Sequence, residues 1–237
     1  MSLMFVLARV ANPVPGPPWA LPGAPGLNSA GSVPWTIVVL LTVLTLLPAL
    51  LLSMTPFVRL LVVFHFLRQA LGLQSTPSNQ TLIGLALILT YFLMQPVVEE
   101  VYRVSAVPLE QGSITAMEAA GRAAGPLRSF MLKYAREKDL ALFLELAREA
   151  RPHNPDDIPL RVVVPAYIIS ELKSGFQIGA ALFLPFLVID LVVAAVAASI
   201  GMLQLPPVVI STPLKILLFV MVDGWNLLVG SVMRSFG

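Results

Sequence analysis

Cysteine is absent from the 237 residues. That excludes disulfides, thiolate metal sites and a cysteine nucleophile. Histidine occurs twice, at His65 and His153, too far apart in sequence to suggest a zinc site or a shared proton relay. No catalytic residue, metal site or cofactor is expected. Charge is scarce too: 12% of residues are charged, where a soluble domain has about 25%. The net charge of +2 is small and forms no clustered basic face, so no nucleic-acid partner is expected. What fills the chain instead is apolar: 57% of residues are hydrophobic and the mean hydropathy is +0.85. An ordinary soluble globule and a disordered chain are both excluded, which leaves a polytopic membrane protein.

The few charges are unevenly placed. Residues 1–98 hold only Arg9, Arg59 and Arg68, whereas 17 charged side chains fall within 101–161. The chain therefore reads as two hydrophobic blocks, 35–98 and 162–237, around a hydrophilic insert, 99–161. Residues 1–34 form an N-terminal arm dense in proline and glycine over 11–34, which predicts extended, irregular backbone. Residues 1–10 are apolar but short for a secretory leader, and Arg9 follows the apolar run where a leader puts its charge first.

Four stretches are long enough to cross about 30 Å of hydrocarbon as helices: 35–52, 81–98, 176–205 and 208–232. A further apolar run, 162–169, precedes the third and extends it as a kinked helix or a hairpin. Pro48, Pro96, Pro165, Pro185 and the pair Pro206–Pro207 interrupt these segments. So many breakers predict irregular backbone sheltered inside protein. Leu205, Pro206 and Pro207 read as the turn of a helical hairpin. Loop 53–80 carries Arg59 and Arg68 without an acid, so it is expected on the cytoplasmic side and the insert 99–161 on the periplasmic side. Within the insert Leu127, Met131, Tyr134 and Ala135 share one helical face, as do Leu140, Phe143, Leu144 and Ala147. Gly72 suits the residue after a helix end, and Ser78 or Asn79 suits the cap of the next.

Several residues stand out chemically. Glu171 and Lys173 are two apart, so on a helix they point to different sides and need different partners. Gly175 and Gly179 form a small-xxx-small face that admits close helix–helix packing. Asp190 and Asp223 each lie about 24 Å along a helix from the Pro206–Pro207 turn, and Lys215 about 12 Å. On this count the two aspartates share a depth, and Lys215 is too far from either for a direct pair. Lys215 is then expected to meet another chain or water, which points to an oligomer or a pore. Two aspartates at one depth also raise an intramembrane aspartyl protease, but the flanking glycines such enzymes use are missing around Asp190.

The string SMTPFVRLLVVFHFLRQALGLQSTPSNQTLIGLALILTYFLMQPV closely resembles the FliP family of flagellar type III export-gate proteins. PAYIISELKSGFQIG and PLKILLFVMVDGWNLLVGS resemble that family's two signatures, and PLRSFMLKYAREKDLALFLELA in the insert also fits. The resemblance runs from about residue 30 to the C-terminus. It implies an all-α chain of helical hairpins with a helical hydrophilic insert, assembling into a ring of five. The implied partners are FliQ-like and FliR-like gate subunits, FlhB-like and FlhA-like export proteins, membrane lipid and exported flagellar proteins. The implied place is the flagellar basal body in the bacterial inner membrane. Many members carry a methionine run that lines a gate within the loop at 201–207. Here that run reads Met202–Leu203–Gln204–Leu205, so these four are the implied pore-lining residues, with Gln204 adding an amide to the ring. Independently of the resemblance, charges in such apolar surroundings make Glu171, Lys173, Asp190, Lys215 and Asp223 the expected buried charges and subunit contacts.

The expected function is a non-catalytic subunit of a protein-export pore, flagellar or, alternatively, of a related virulence secretion system. A small-molecule transporter is the rival from another class, since intramembrane charges alone would suit one. It would show internal repeats, and the sequence has none with a period of 20–50 residues.

Overall fold

A computed structural model describes residues 35–149, 154, 157–202 and 206–236. The arm 1–34, His153, Leu203, Gln204 and Leu205 lie outside the described residues. The chain divides into two units, Met1–Thr45 and Leu46–Gly237. In the first, the described part is the beginning of α1 (Trp35–Ser53). Thr42 and Thr45 sit in an apolar helix by donating backwards: Thr42 Oγ1 to the Val38 carbonyl at 2.7 Å and Thr45 Oγ1 to that of Leu41 at 2.5 Å.

Every described element of the second unit is a helix as well. They are α2 (Phe57–Ala70), α3 (Asn79–Val101), a π-helical turn (Tyr102–Ala106), α4 (Val107–Glu110), α5 (Ala116–Tyr134), α6 (Glu137–Leu146), α7 (Leu160–Ser199), α8 (Val208–Met221) and α9 (Gly224–Arg234). Their ends have local causes. α2 stops where Gly72 takes φ +76°, a conformation only glycine adopts freely, with its Cα against Thr212 of α8. α3 starts at Ser78, whose Oγ accepts the Thr81 N–H at 3.2 Å. α5 opens with a reciprocal cap: Thr115 accepts from the Glu118 N–H, and the Glu118 carboxylate accepts from the Thr115 N–H at 2.8 Å. The π turn falls directly before Pro108, whose ring and missing donor disturb the preceding turn of helix.

Two sequence expectations are corrected by these boundaries. Prolines were expected to break the membrane-depth segments, yet Pro48, Pro96, Pro165 and Pro185 all lie inside continuous helices. The run 162–169 and the stretch 176–205 accordingly fuse into one 40-residue helix, α7, about 60 Å long. Conversely, the stretch 208–232 is not one helix. It bends by 68° between α8 and α9, at Asp223, where φ is 50°. Gly224 is obligatory at this corner, because a Cβ there would lie 2.2 Å from the Phe219 ring. Asp223 therefore sits exposed at a helix break and shares no helical depth with Asp190.

Among the described residues two helices are long and apolar enough to cross a membrane, Asn79–Glu110 and Leu160–Ser199, and the number is up to four if each of the bent pairs α1 with α2 and α8 with α9 is one span. Two apolar clusters hold the second unit together. One joins α2, α3, α7, α8 and α9 through Leu60, Phe64, Leu67, Ala86, Phe186, Phe219 and Val232. The other packs Met131 of α5 and Leu144 of α6 onto Val162, Val163 and Tyr167 at the start of α7. The insert is thus fastened to the first turns of α7 through the faces that the helical periodicity picks out.

Candidate functional site

α7 is the element on which the polar groups converge. Its first half presents Gly175 and Gly179 to α2. A Cβ on Gly175 would lie 3.0 Å from Val62, and one on Gly179 would lie 2.5 Å from the Phe66 ring. The missing side chains bring the α2 backbone near enough for Arg59 to reach Glu171, one turn before Gly175. Arg59 binds it bidentately, Nε to Oε2 at 3.0 Å and Nη2 to Oε1 at 2.5 Å. The two side chains are 5% and 0% exposed, so this ion pair is desolvated. The other edge of the guanidinium donates to the Ser235 hydroxyl at 2.9 Å, and its face lies 3.7 Å from the centre of the Phe236 ring. Tyr134 of α5 donates its hydroxyl to the Phe236 carbonyl. One arginine thereby ties α2, α7 and the C-terminal residues together.

The corner between α5 and α6 grips α7 beside Glu171 and over the next two turns. The Arg136 N–H donates to Ser170 Oγ at 2.9 Å, and Ser170 donates to Asp139 at 2.6 Å. Arg136 Nη2 reaches Gln177 at 2.6 Å and Ser174 at 3.2 Å. Ser170 is wholly buried and Asp139 nearly so, so these bonds replace water.

In the second half of α7, Asp190 bonds two residues of α8. Lys215 Nζ donates to Oδ2 at 2.5 Å and Ser211 Oγ to Oδ1 at 2.6 Å. The sequence count made Lys215 too distant for this pair, and the structure overturns it. The error lay in placing the turn at Pro206–Pro207. α7 ends at Ser199, and Pro207 already caps α8. The connection is thus centred several residues earlier. Asp190 lies nine residues before Ser199 and Lys215 seven after Val208, which puts them at nearly one level of the hairpin. Lys215 is 3% exposed and needs no second chain to neutralise it.

The other predicted residues are distributed as follows. Lys173 is exposed and makes no ion pair among the described residues. Gly201 leaves α7 with φ +79°, and Met202 after it is exposed. Leu203, Gln204 and Leu205 lie outside the described residues, so of the four expected lining residues the structure describes Met202 alone. No cluster of metal-ligating side chains occurs among the described residues. The sequence reading did not single out Arg59 as a buried group, nor Arg136, Asp139 and Ser235. Arg59 and its partner are 112 residues apart, and no local pattern links them.

The two ion pairs leave their carboxylates saturated by donors of the same chain, which suits a scaffold that fixes helix positions. The FliP family profile matches residues 40–232. A flagellar biosynthetic protein FliP of Pectobacterium carotovorum is 50% identical over 210 residues, covering 87% of this chain and 81% of its own. That of Bacillus subtilis is 50% identical over 200 residues, covering 84% of this chain and 90% of its own. That of Caulobacter vibrioides is 48% identical over 200 residues, covering 84% and 75%. With its family profile matched across both hydrophobic blocks and the insert between them, the chain belongs to the FliP family.

Proposed function

We propose that the chain is a non-catalytic subunit of the flagellar protein-export gate, working as several copies around a pore. The observation that carries this is the α7–α8 hairpin, locked by Asp190, Ser211 and Lys215 and ending in the short connection with Gly201 and Met202. A rigid hairpin can hold a few apolar residues at a fixed point, and one chain presents too few of them to close a channel. Five copies would give rings of Met202, Leu203 and Leu205, with Gln204 turned from the axis or bonded around it. Such a ring dewets when empty. It also yields to a passing polypeptide, because methionine repacks easily. FliQ-like and FliR-like subunits would complete the gate, with FlhB-like and FlhA-like proteins beside it, in the inner membrane of the basal body. The flagellar names of the relatives favour this over a virulence apparatus. The transporter reading loses its motive, since Lys215 and Asp190 neutralise each other.

The test has two parts. The mass of the detergent-purified complex should correspond to five copies, alone or with other small membrane subunits; a monomer or dimer would overturn the reading. Replacing Met202 and Leu203 with alanine should leave assembly intact and make cells or liposomes leak ions. An assembled variant as tight as the parent would put the seal elsewhere.

A further inference from the structure

We propose that Ser235 and Phe236, which follow α9, form a releasable strap that sets how firmly the α5–α6 corner holds α7. The Phe236 ring lies on the Arg59 guanidinium at 3.7 Å and edge-on to the Tyr134 ring at 5.2 Å. Its carbonyl accepts from the Tyr134 hydroxyl. Arg59 adds a bond to the Ser235 hydroxyl at 2.9 Å. Tyr134 is the last residue of α5 and stands two before Arg136, which grips Ser170, Ser174 and Gln177 of α7. Tyr134 also packs against both apolar clusters. The strap thus reaches, from 102 residues away, the corner that fastens the insert.

The surroundings of Phe236 allow it to let go. Its ring is the one buried side chain of the strap, because Ser235 is exposed. A core ring enclosed on every side moves only when its neighbours move. Phe236 is covered by Arg59 and Tyr134, yet it also borders a cleft of about 730 Å³ between α3 and α5. The apolar walls at Leu93, Pro96, Val97 and Phe130 can receive the ring without displacing a helix. Release spares the ion pair beneath. Arg59 holds Glu171 through Nε and Nη2, whereas the strap uses Nη1 and the face of the guanidinium. So α2 stays on α7, and the α5–α6 corner alone loses an anchor. Such a local opening costs less than global unfolding. Anything that draws Phe236 off Arg59 would loosen the insert without touching it. The strap acts within one chain and does not depend on the gate.

The test is amide hydrogen exchange of the full detergent-purified chain, read by mass spectrometry. The Arg136 amide, bonded to Ser170, reports directly on the grip. Tyr134→Phe keeps the ring and removes only the bond to the Phe236 carbonyl. It should speed exchange over residues 131–140 about fivefold, the weight of one hydrogen bond. Phe236→Ala removes the anchor itself and should speed it at least about tenfold. In both variants residues 59–66 and 171–179 should exchange as in the parent. Adding Tyr134→Phe to Phe236→Ala should change little more, because a released strap no longer offers its carbonyl. Unchanged exchange at the corner in Phe236→Ala would overturn the proposal. So would an equal rise in α2 and α7, which would mean a general loss of stability, or additive effects in the double variant.

Discussion

Glu171 has no exposed surface, and both of its oxygens are occupied by Arg59. Removing one partner of such a pair strands the other without water. Glu171→Ala should therefore cost about 3–5 kcal/mol of stability. Lys173, two residues on and exposed, should tolerate alanine within about 0.5 kcal/mol. Thermal unfolding of the detergent-purified chain checks both values, and equal losses would contradict the structure. The sequence announces that both residues need separate partners. It does not announce who they are, because Arg59 approaches only once Gly175 and Gly179 let α2 settle on α7. The helical spacing of the glycines is local information; the arginine that exploits it is not.

Among the elements, the α7–α8 hairpin carries the sharpest expectation. Asp190→Ala leaves the Lys215 ammonium buried and should destabilise by about 3–5 kcal/mol. Asp190→Ala combined with Lys215→Met should recover most of that, since apolar residues of similar volume often replace a buried pair without loss. A double variant as unstable as the sum of the singles would mean that the charges do more than neutralise each other. The pairing was hidden in the sequence by the Pro206–Pro207 pair, which looks like a turn and is the beginning of a helix.

Helix starts were more legible, because a cap is written within four residues. Ser78 is one case. The reciprocal cap of α5 also makes a pH prediction. The Thr115 backbone N–H and hydroxyl hold the Glu118 carboxyl below the usual carboxylate range. A depressed folded value means that this contribution is complete above the ordinary glutamate pKa and disappears as pH falls through the lowered one. Amide exchange in the first turn of α5 should thus accelerate on acidification relative to Glu118→Gln at each pH. Parallel profiles would show that the carboxylate does not cap.

At the scale of the whole molecule, all-helical architecture was legible from hydropathy, and the family from long motifs. Orientation in the membrane rests on less than the sequence suggested. Arg59 was counted as a loop cation, yet it is buried in an ion pair. Arg68, half-buried and bonded to Asn79 at 2.6 Å, remains for the inside rule. The expected outcome is still a cytoplasmic signal from a reporter fused near Gln74 and a periplasmic one near Glu118. The reverse pattern would reject this orientation.

The 40 residues of α7 have a mechanical consequence. Its first half is clamped by α2 and by the α5–α6 corner, whereas beyond Phe186 it buries only Ala197. The helix is a cantilever with α8 strapped along its outer arm. Roughly 36 Å of chain along the helix direction separates Gln177 from Gly201, which turns a one-degree tilt at the clamp into about 0.6 Å of travel at the tip. Small shifts where the insert grips Ser170, Ser174 and Gln177 would therefore be read out, enlarged, at Gly201 and Met202.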